Sequence, residues 1–241
     1  MVFTMNGVSD DQYLPLIEHI KELRTRMIII LIILFSAIVL IFPFSGTLID
    51  IIWANLMPQD IHMIVYSPLE WMVSRLTLTL AIALIVTVPV CIYESFLFMK
   101  MGLYSVERKF FLLVVPVSFI MSMIGASVAY FLVIPLIFNY MVFYSTDVAS
   151  SGLSIKQTFS VVSSMLVMFG LIFQFPILVV LSIKSGLLEH HQLKNKRMFV
   201  YGLLIAFAMF VAPDITGMSQ LIMAVFLVVL FEFSLLISRF V

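Results

Sequence analysis

The stretch Leu16-Ile-Glu-His-Ile-Lys-Glu-Leu-Arg-Thr-Arg26 sets charge and grease on opposite faces of one predicted helix. Leu16, Ile20, Leu23 and Met27 recur at four, three, four spacing and form an apolar stripe. Glu18, Glu22 and Arg26 follow one another at intervals of four on the polar face, where opposite charges support a helix by roughly 0.2–0.5 kcal/mol per pair. A helix lying on a membrane surface accounts for this pattern. A second charged segment runs from Tyr93 to Lys109. There Ser105 is placed to cap a following helix and Glu107 falls in its first turn, where the helix dipole favours a carboxylate by roughly 0.3–1 kcal/mol. Gln174, in Phe169-Gly-Leu-Ile-Phe-Gln-Phe-Pro176, is an amide in an otherwise apolar run. It calls for a hydrogen bond to a neighbouring helix, worth roughly 0.6–2 kcal/mol, or a polar contact to another subunit. Asp214 is expected to cap the turn after Pro213, and Glu94, near the end of an apolar run, to snorkel to the interface.

These groups make no catalytic set. There is no paired-histidine zinc motif, no glycine-rich phosphate loop, and no Ser, His and Asp at a common depth. The adjacent His190-His191 point apart, and the single cysteine, Cys91, excludes a disulfide framework and reads as buried packing. The chain is expected to be neither an enzyme nor the holder of a metal or other cofactor.

The elements that position these residues are spans. With 63% hydrophobic and 11% charged residues in 241, the chain carries more apolar surface than a soluble domain of its size hides. Crossing a bilayer takes about 20 apolar residues, and six runs approach that length: 27–44, 76–99, 110–138, 158–183, 198–212 and 218–237. Asp10, Asp11 and Glu18 precede the first run and no small-residue cleavage site follows it, so that span is expected to be retained. The fifth run reaches only roughly 22 Å and forms a tight hairpin with the sixth, which predicts local bilayer thinning or burial of the pair. The fold class is therefore all-α and polytopic, six-spanning, with short fifth and sixth spans, and residues 1–241 read as one domain.

Lys and Arg give the orientation. Lys21, Arg24, Arg26, Lys100, Arg108, Lys109, Lys184, Lys194, Lys196, Arg197 and Arg239 fall on one side, and only Arg75 and Lys156 on the other, with Asp50, Asp60, Glu70, Asp147 and Asp214. Both termini are thus expected in the cytoplasm. The two long outer loops, the first bearing Ile51, Ile52, Trp53, Leu56 and Trp71, are expected to form short helices capping the outer face. Net charge is zero, so nothing points to a nucleic-acid partner.

The order of motifs resembles the TatC family, the multispanning core subunits of the twin-arginine protein translocase, over nearly the whole chain. His19-Ile-Lys-Glu-Leu-Arg-Thr-Arg26 is similar to the family's His-Leu-x-Glu-Leu-Arg-x-Arg signature, and Ser67-Pro-Leu-Glu70 to its outer-loop Ser-Pro-x-Glu. Tyr93, Phe98, Leu103-Tyr-x-x-Glu-Arg108, Phe169-Gly-x-x-Phe-Gln-x-Pro176, Pro213-Asp214 and Ser219-Gln220 follow in register. Asn55 stands where many members have proline, Phe96 and Met101 replace a tryptophan and a proline, and Phe226 replaces a proline in the sixth span. Members carry Glu or Gln at the position of Gln174, so no charge-dependent role attaches to it.

The resemblance implies a receptor in the multi-pass membrane of a prokaryote that binds twin-arginine signal peptides of folded cargo. It implies export driven by the proton motive force, with TatA-type and, where present, TatB-type single-span subunits, other TatC protomers and membrane lipids as partners. It also implies the site. Glu22 and Glu107 would take the two guanidinium groups, because a planar fork pairs with a carboxylate in a way an ammonium does not. Arg24 and Arg26 would hold Glu22 and anchor the helix, and the Phe- and Met-rich second to fourth spans would supply a groove for the apolar part of the signal. Gln174, Asp214 and Glu70 would make partner-subunit or intramembrane polar contacts. A solute or ion permease is the alternative; it calls for opposed charges or broken helices near the midplane, which the sequence does not display. An assembly scaffold is a third possibility.

Overall fold

Inside hydrocarbon every main-chain group must find its partner within the protein, so an apolar chain of this kind closes its backbone hydrogen bonds in helices. The computed structural model describes residues 16–57, 62–99, 105–145, 152–184, 191, 193, 196–212 and 217–238. Its helices are α1 (Leu16–Ile41), α2 (Ser45–Leu56), α3 (Pro68–Met99), α4 (Ser105–Val128), α5 (Ile134–Ser145), α6 (Ile155–Ile172), α7 (Phe175–Lys184), α8 (Arg197–Val211) and α9 (Met218–Ile237). Five segments are long and apolar enough to cross a membrane, Ile20–Leu56, Pro68–Ser95, Val114–Tyr140, Ile155–Ile183 and Met218–Ile237, and Arg197–Val211 is a sixth, shorter apolar helix. The packing order is α1 on α3, α3 on α4 and α6, α4 on α6, and α9 between α7 and α8.

Prolines shape these helices, and side chains repair what they break. Pro89 lies inside α3 and has no N–H for the carbonyl of Ile85. Ser122 Oγ, from α4, donates to that carbonyl at 3.2 Å. Pro135 follows a five-residue π segment, Ala129–Val133, that joins α4 to α5 without a break. Pro176 interrupts the fourth span, which the sequence reading had continuous: the chain turns at Phe173 and Gln174 between α6 and α7. A helix break near mid-span is therefore present, contrary to the expectation drawn from composition. The reason is the missing N–H of Pro176, and uncharged groups of the same chain satisfy the carbonyls around it.

The core lies where α3, α4 and α6 meet. Phe159, Met165 and Phe169 on α6 and Leu78 and Ala83 on α3 are fully buried. Close approach depends on glycine at two places. A Cβ on Gly125 would lie 2.5 Å from the carbonyl oxygen of Phe169, and one on Gly170 would lie 3.3 Å from Ile85 Cγ1. Phe226, a departure from the family pattern, fills space on the other side of α6, edge-on to Phe169 at 5.3 Å. Gly217 enters α9 with φ of 73°, a backbone setting that favours glycine.

The two long loops expected on the outer face differ in form. The first contains α2, as expected, joined to α1 by a 3-10 turn over Phe42–Phe44 with Pro43 inside it. Arg75 fastens this corner: Nε donates to Ser45 Oγ at 2.8 Å, a terminal nitrogen to the Phe42 carbonyl at 3.2 Å, and the guanidinium sits 4.8 Å from the Phe42 ring. Asn55 donates to Tyr130 Oη at 3.0 Å, a link from α2 to the π segment that a proline could not make. Beyond α2 the two loops pair as parallel strands, β1 (His62–Ile64) with β2 (Gly152–Ser154), where helices were expected. Three residues are too few to show a period of two in a sequence.

Candidate functional site

The polar face of α1 continues the face that packs against the bundle. Glu22, Arg26, Ile30, Ile33, Ala37 and Ile41 are half-buried at four-and-three spacing, whereas Ile20, Leu23 and Met27 of the apolar stripe are exposed. Helical periodicity thus turns Glu22 and Arg26 towards α3, and the stripe outward, where lipid would meet it.

Arg26 is held by two carboxylates. Its Nε donates to Glu22 Oε1 at 3.0 Å and one terminal nitrogen to the same oxygen at 2.5 Å. The other terminal nitrogen donates to Glu94 Oε2, on α3, at 3.0 Å. Glu94 is only 7% exposed. Rather than snorkelling, it stays inside because Arg26 supplies its counter-charge; a carboxylate this deep in an apolar helix needs one. Removing one partner of such a pair costs about 3–5 kcal/mol when the other is left charged and alone. Glu22 Oε2 is buried and has no hydrogen-bond partner among the described residues. Two carboxylates against one guanidinium leave the cluster, among the described residues, one negative charge and a free acceptor at Glu22.

A wholly apolar groove lies between α3 and α4. Pro89, Val90 and Tyr93 of α3 and Val115, Pro116, Phe119 and Ile120 of α4 line about 660 Å³, and Tyr93 directly precedes Glu94.

The remaining expected residues separate by environment. Arg24 is exposed and makes no ion pair among the described residues, so Arg26 alone holds Glu22. The backbone places Glu107 in the first turn of α4, but its side chain lies outside the described residues, as does Asp214 altogether. Gln174 is 4% exposed and fully engaged within the chain. Its carbonyl accepts from Ser118 Oγ at 2.7 Å, and its amide donates to the carbonyls of Ser118 at 3.2 Å and Gly170 at 3.4 Å. The helix break explains the last bond: the Gln174 N–H goes to Leu171, leaving the Gly170 carbonyl for the side chain. Glu70 begins α3, accepting the Tyr66 N–H at 3.0 Å on its side chain while its own N–H returns to the Ser67 carbonyl. The Ser-Pro-x-Glu motif is therefore a helix start, with Ser67 before Pro68 in the first position and Glu70 in the third.

Sequence reasoning missed two groupings. Glu94 carried a partial signal, a carboxylate inside an apolar run that calls for a counter-charge, but nothing in the spacing pointed to Arg26, 68 positions away. Glu232 accepts from Tyr201 Oη and lies 3.6 Å from an Arg197 nitrogen, fastening α8 to α9; nothing in the spacing announced that pair.

Residues 18–225 match the family model of the Sec-independent protein translocase protein TatC. The Sec-independent protein translocase protein TatC of Methanocella arvoryzae is 40% identical over 95% of this chain and 95% of its own. The TatC protein of Aquifex aeolicus is 29% identical over 94% of this chain and 95% of its own. A crystal structure of a twin-arginine translocase receptor, TatC, superposes with a TM-score of 0.79 and 28% identity over 92% of this chain and 98% of that one.

Proposed function

The chain belongs to the TatC family, and from that premise we propose that it recognises the arginine pair of twin-arginine signal peptides at the end of the bundle where Glu22 lies. As a family member it is a multi-pass cell-membrane component of the Sec-independent translocase, a transport protein and not an enzyme. On our reading that end faces the cytoplasm, as the positive charges around α1 and between α7 and α8 require. Glu22 takes one guanidinium and Glu107, in the first turn of α4, takes the other. The neighbouring apolar groove receives the hydrophobic part of the signal, and TatA-type subunits and further copies of this chain complete the translocase.

One observation carries this reading: the buried Glu22 Oε2, without a partner among the described residues, in a cluster whose described members leave one negative charge uncompensated. Such a group seeks a donor, and a charge-assisted bond to a guanidinium is the strongest the site can make. Gln174, by contrast, supports an intramembrane role within the chain, since its hydrogen bonds are all made there.

Photo-crosslinking from positions 22 and 107 in isolated membranes tests the proposal, with Arg-Arg and Lys-Lys forms of one signal peptide. Crosslinks from both positions that depend on Arg-Arg are expected. A correctly inserted protein that crosslinks to neither form, or equally to both, would mean the charge cluster serves the fold or a solute path instead.

A further inference from the structure

A receptor carboxylate already paired with an internal arginine poses a charge problem. Arg26 commits two of its nitrogens to Glu22 Oε1. Were that pair alone, adding a signal-peptide guanidinium to Glu22 would set two cations on one carboxylate. The structure holds a second carboxylate on the same guanidinium, Glu94 Oε2 at 3.0 Å, on a different helix and 7% exposed. We propose that Glu94 is a specificity-determining positioning residue: it supplies the counter-charge for Arg26, so that Glu22 can accept an arginine from outside. This rests on the signal-peptide reading above.

Three features of the cluster support the assignment. The first is charge. With Glu94 ionised the cluster goes from one negative charge to neutral when a guanidinium arrives; without it the cluster goes from neutral to positive, which a largely dehydrated site opposes. The second is geometry. Arg26 reaches Glu94 with a nitrogen that Glu22 does not use, so Arg26 stays paired if its hold on Glu22 loosens. The third is placement. Glu94 directly follows Tyr93, which lines the apolar groove, so the counter-charge and the groove share one turn of α3. Glu94 does not touch the peptide; it acts through Arg26.

The experiment is peptide binding to the purified full chain in lipid nanodiscs, followed by fluorescence anisotropy with labelled Arg-Arg and Lys-Lys peptides. Glu94→Gln, which keeps size and removes charge, is expected to weaken Arg-Arg binding by about tenfold or more and to narrow its advantage over Lys-Lys. Adding Arg26→Gln to Glu94→Gln restores the single negative charge on Glu22, and binding should return to within about threefold of the unaltered chain. The melting midpoint of each variant, measured on the same preparation, separates a loss of binding from a loss of fold, since replacing both partners of a buried pair can also restore stability. Unchanged binding by Glu94→Gln overturns the inference, and so does a double variant as weak as the single one. Should Glu94→Gln alone fail to fold, the double variant decides on the same terms. If the unaltered chain shows no Arg-Arg preference, or Glu22→Gln binds as it does, the receptor reading itself falls and takes this inference with it.

Discussion

Two of the polar groupings that cross helix interfaces in this molecule are built on opposite principles. Where α4 meets α3 and the α6–α7 turn, Ser118 and Gln174 answer one another, and Gln174 and Ser122 take the Gly170 and Ile85 carbonyls that the turn and Pro89 set free, with no charge involved. Between α1 and α3, Glu22, Arg26 and Glu94 form an ionic cluster with an acceptor left over. A closed neutral network holds helices in one arrangement, because any other arrangement leaves a polar group unsatisfied in hydrocarbon. A network with unanswered charge does little for a fold and much for a ligand. Proximity of polar residues inside a membrane therefore does not identify a site; the leftover valence does.

The sharpest way to break the closed network is steric. Gly125→Val should be the most damaging change considered, since its Cβ would sit 2.5 Å from the Phe169 carbonyl oxygen, which backbone cannot yield without moving α6. Separating α4 from α6 also pulls Ser118 from Gln174, and a loss on the order of 3 kcal/mol or more is expected. A large fall in melting midpoint in detergent, with reduced membrane abundance, is the outcome to look for; a midpoint within a few degrees of the unaltered chain would show that the close approach is not required. Gln174→Leu keeps the volume and removes the hydrogen bonds, leaving Ser118 Oγ and the Gly170 carbonyl unanswered. Roughly 2 kcal/mol of destabilisation should follow, seen as a smaller fall in midpoint, with signal-peptide affinity unchanged in the fraction that folds. A loss of peptide affinity at an unchanged midpoint would move Gln174 from the fold to the site.

How much of this was legible beforehand follows from the range of each signal. The spans were readable because hydropathy sums over some 20 residues, whereas the start of α3 at Pro68 was not, since the expected span began at 76 and Ser67-Pro-Leu-Glu70 was read only as an outer-loop motif. The break at Gln174 was visible only through Pro176, a residue the eye accepts in a membrane helix, so the span was read as continuous. Glu22 and Arg26 were readable as a pair through their spacing of four, yet the helix face they occupy was assigned to water rather than to α3. The stripe of Ile20, Leu23 and Met27 is the more hydrophobic face, and in water it would have been buried. In a bilayer that logic inverts, since the lipid takes the grease and the protein takes the charge. Glu94 was missed for the same reason: its partner lies 68 positions away in sequence, and no periodicity links residues across two spans.

The smallest expected stability effect gives the finest test of the contrast. Glu22→Gln removes one carboxylate from the ionic cluster but leaves Arg26 on Glu94, so no buried charge is stranded and the amide oxygen still accepts from Arg26. The cluster becomes neutral, and the unpartnered Oε2 of Glu22, itself a source of instability, is replaced by a donor. Stability should shift by less than about 1 kcal/mol in either direction, well below the effect at Gln174, while Arg-Arg peptide affinity falls by an amount typical of a lost charge-assisted pair, about tenfold or more. Melting and binding measured on one preparation separate the two. If the midpoint drops as far as that of Gln174→Leu and affinity falls only in proportion to unfolded protein, the α1–α3 cluster is a brace like the α4–α6 seam. If affinity falls alone, the open acceptor at Glu22 is kept for a ligand at no benefit to the fold.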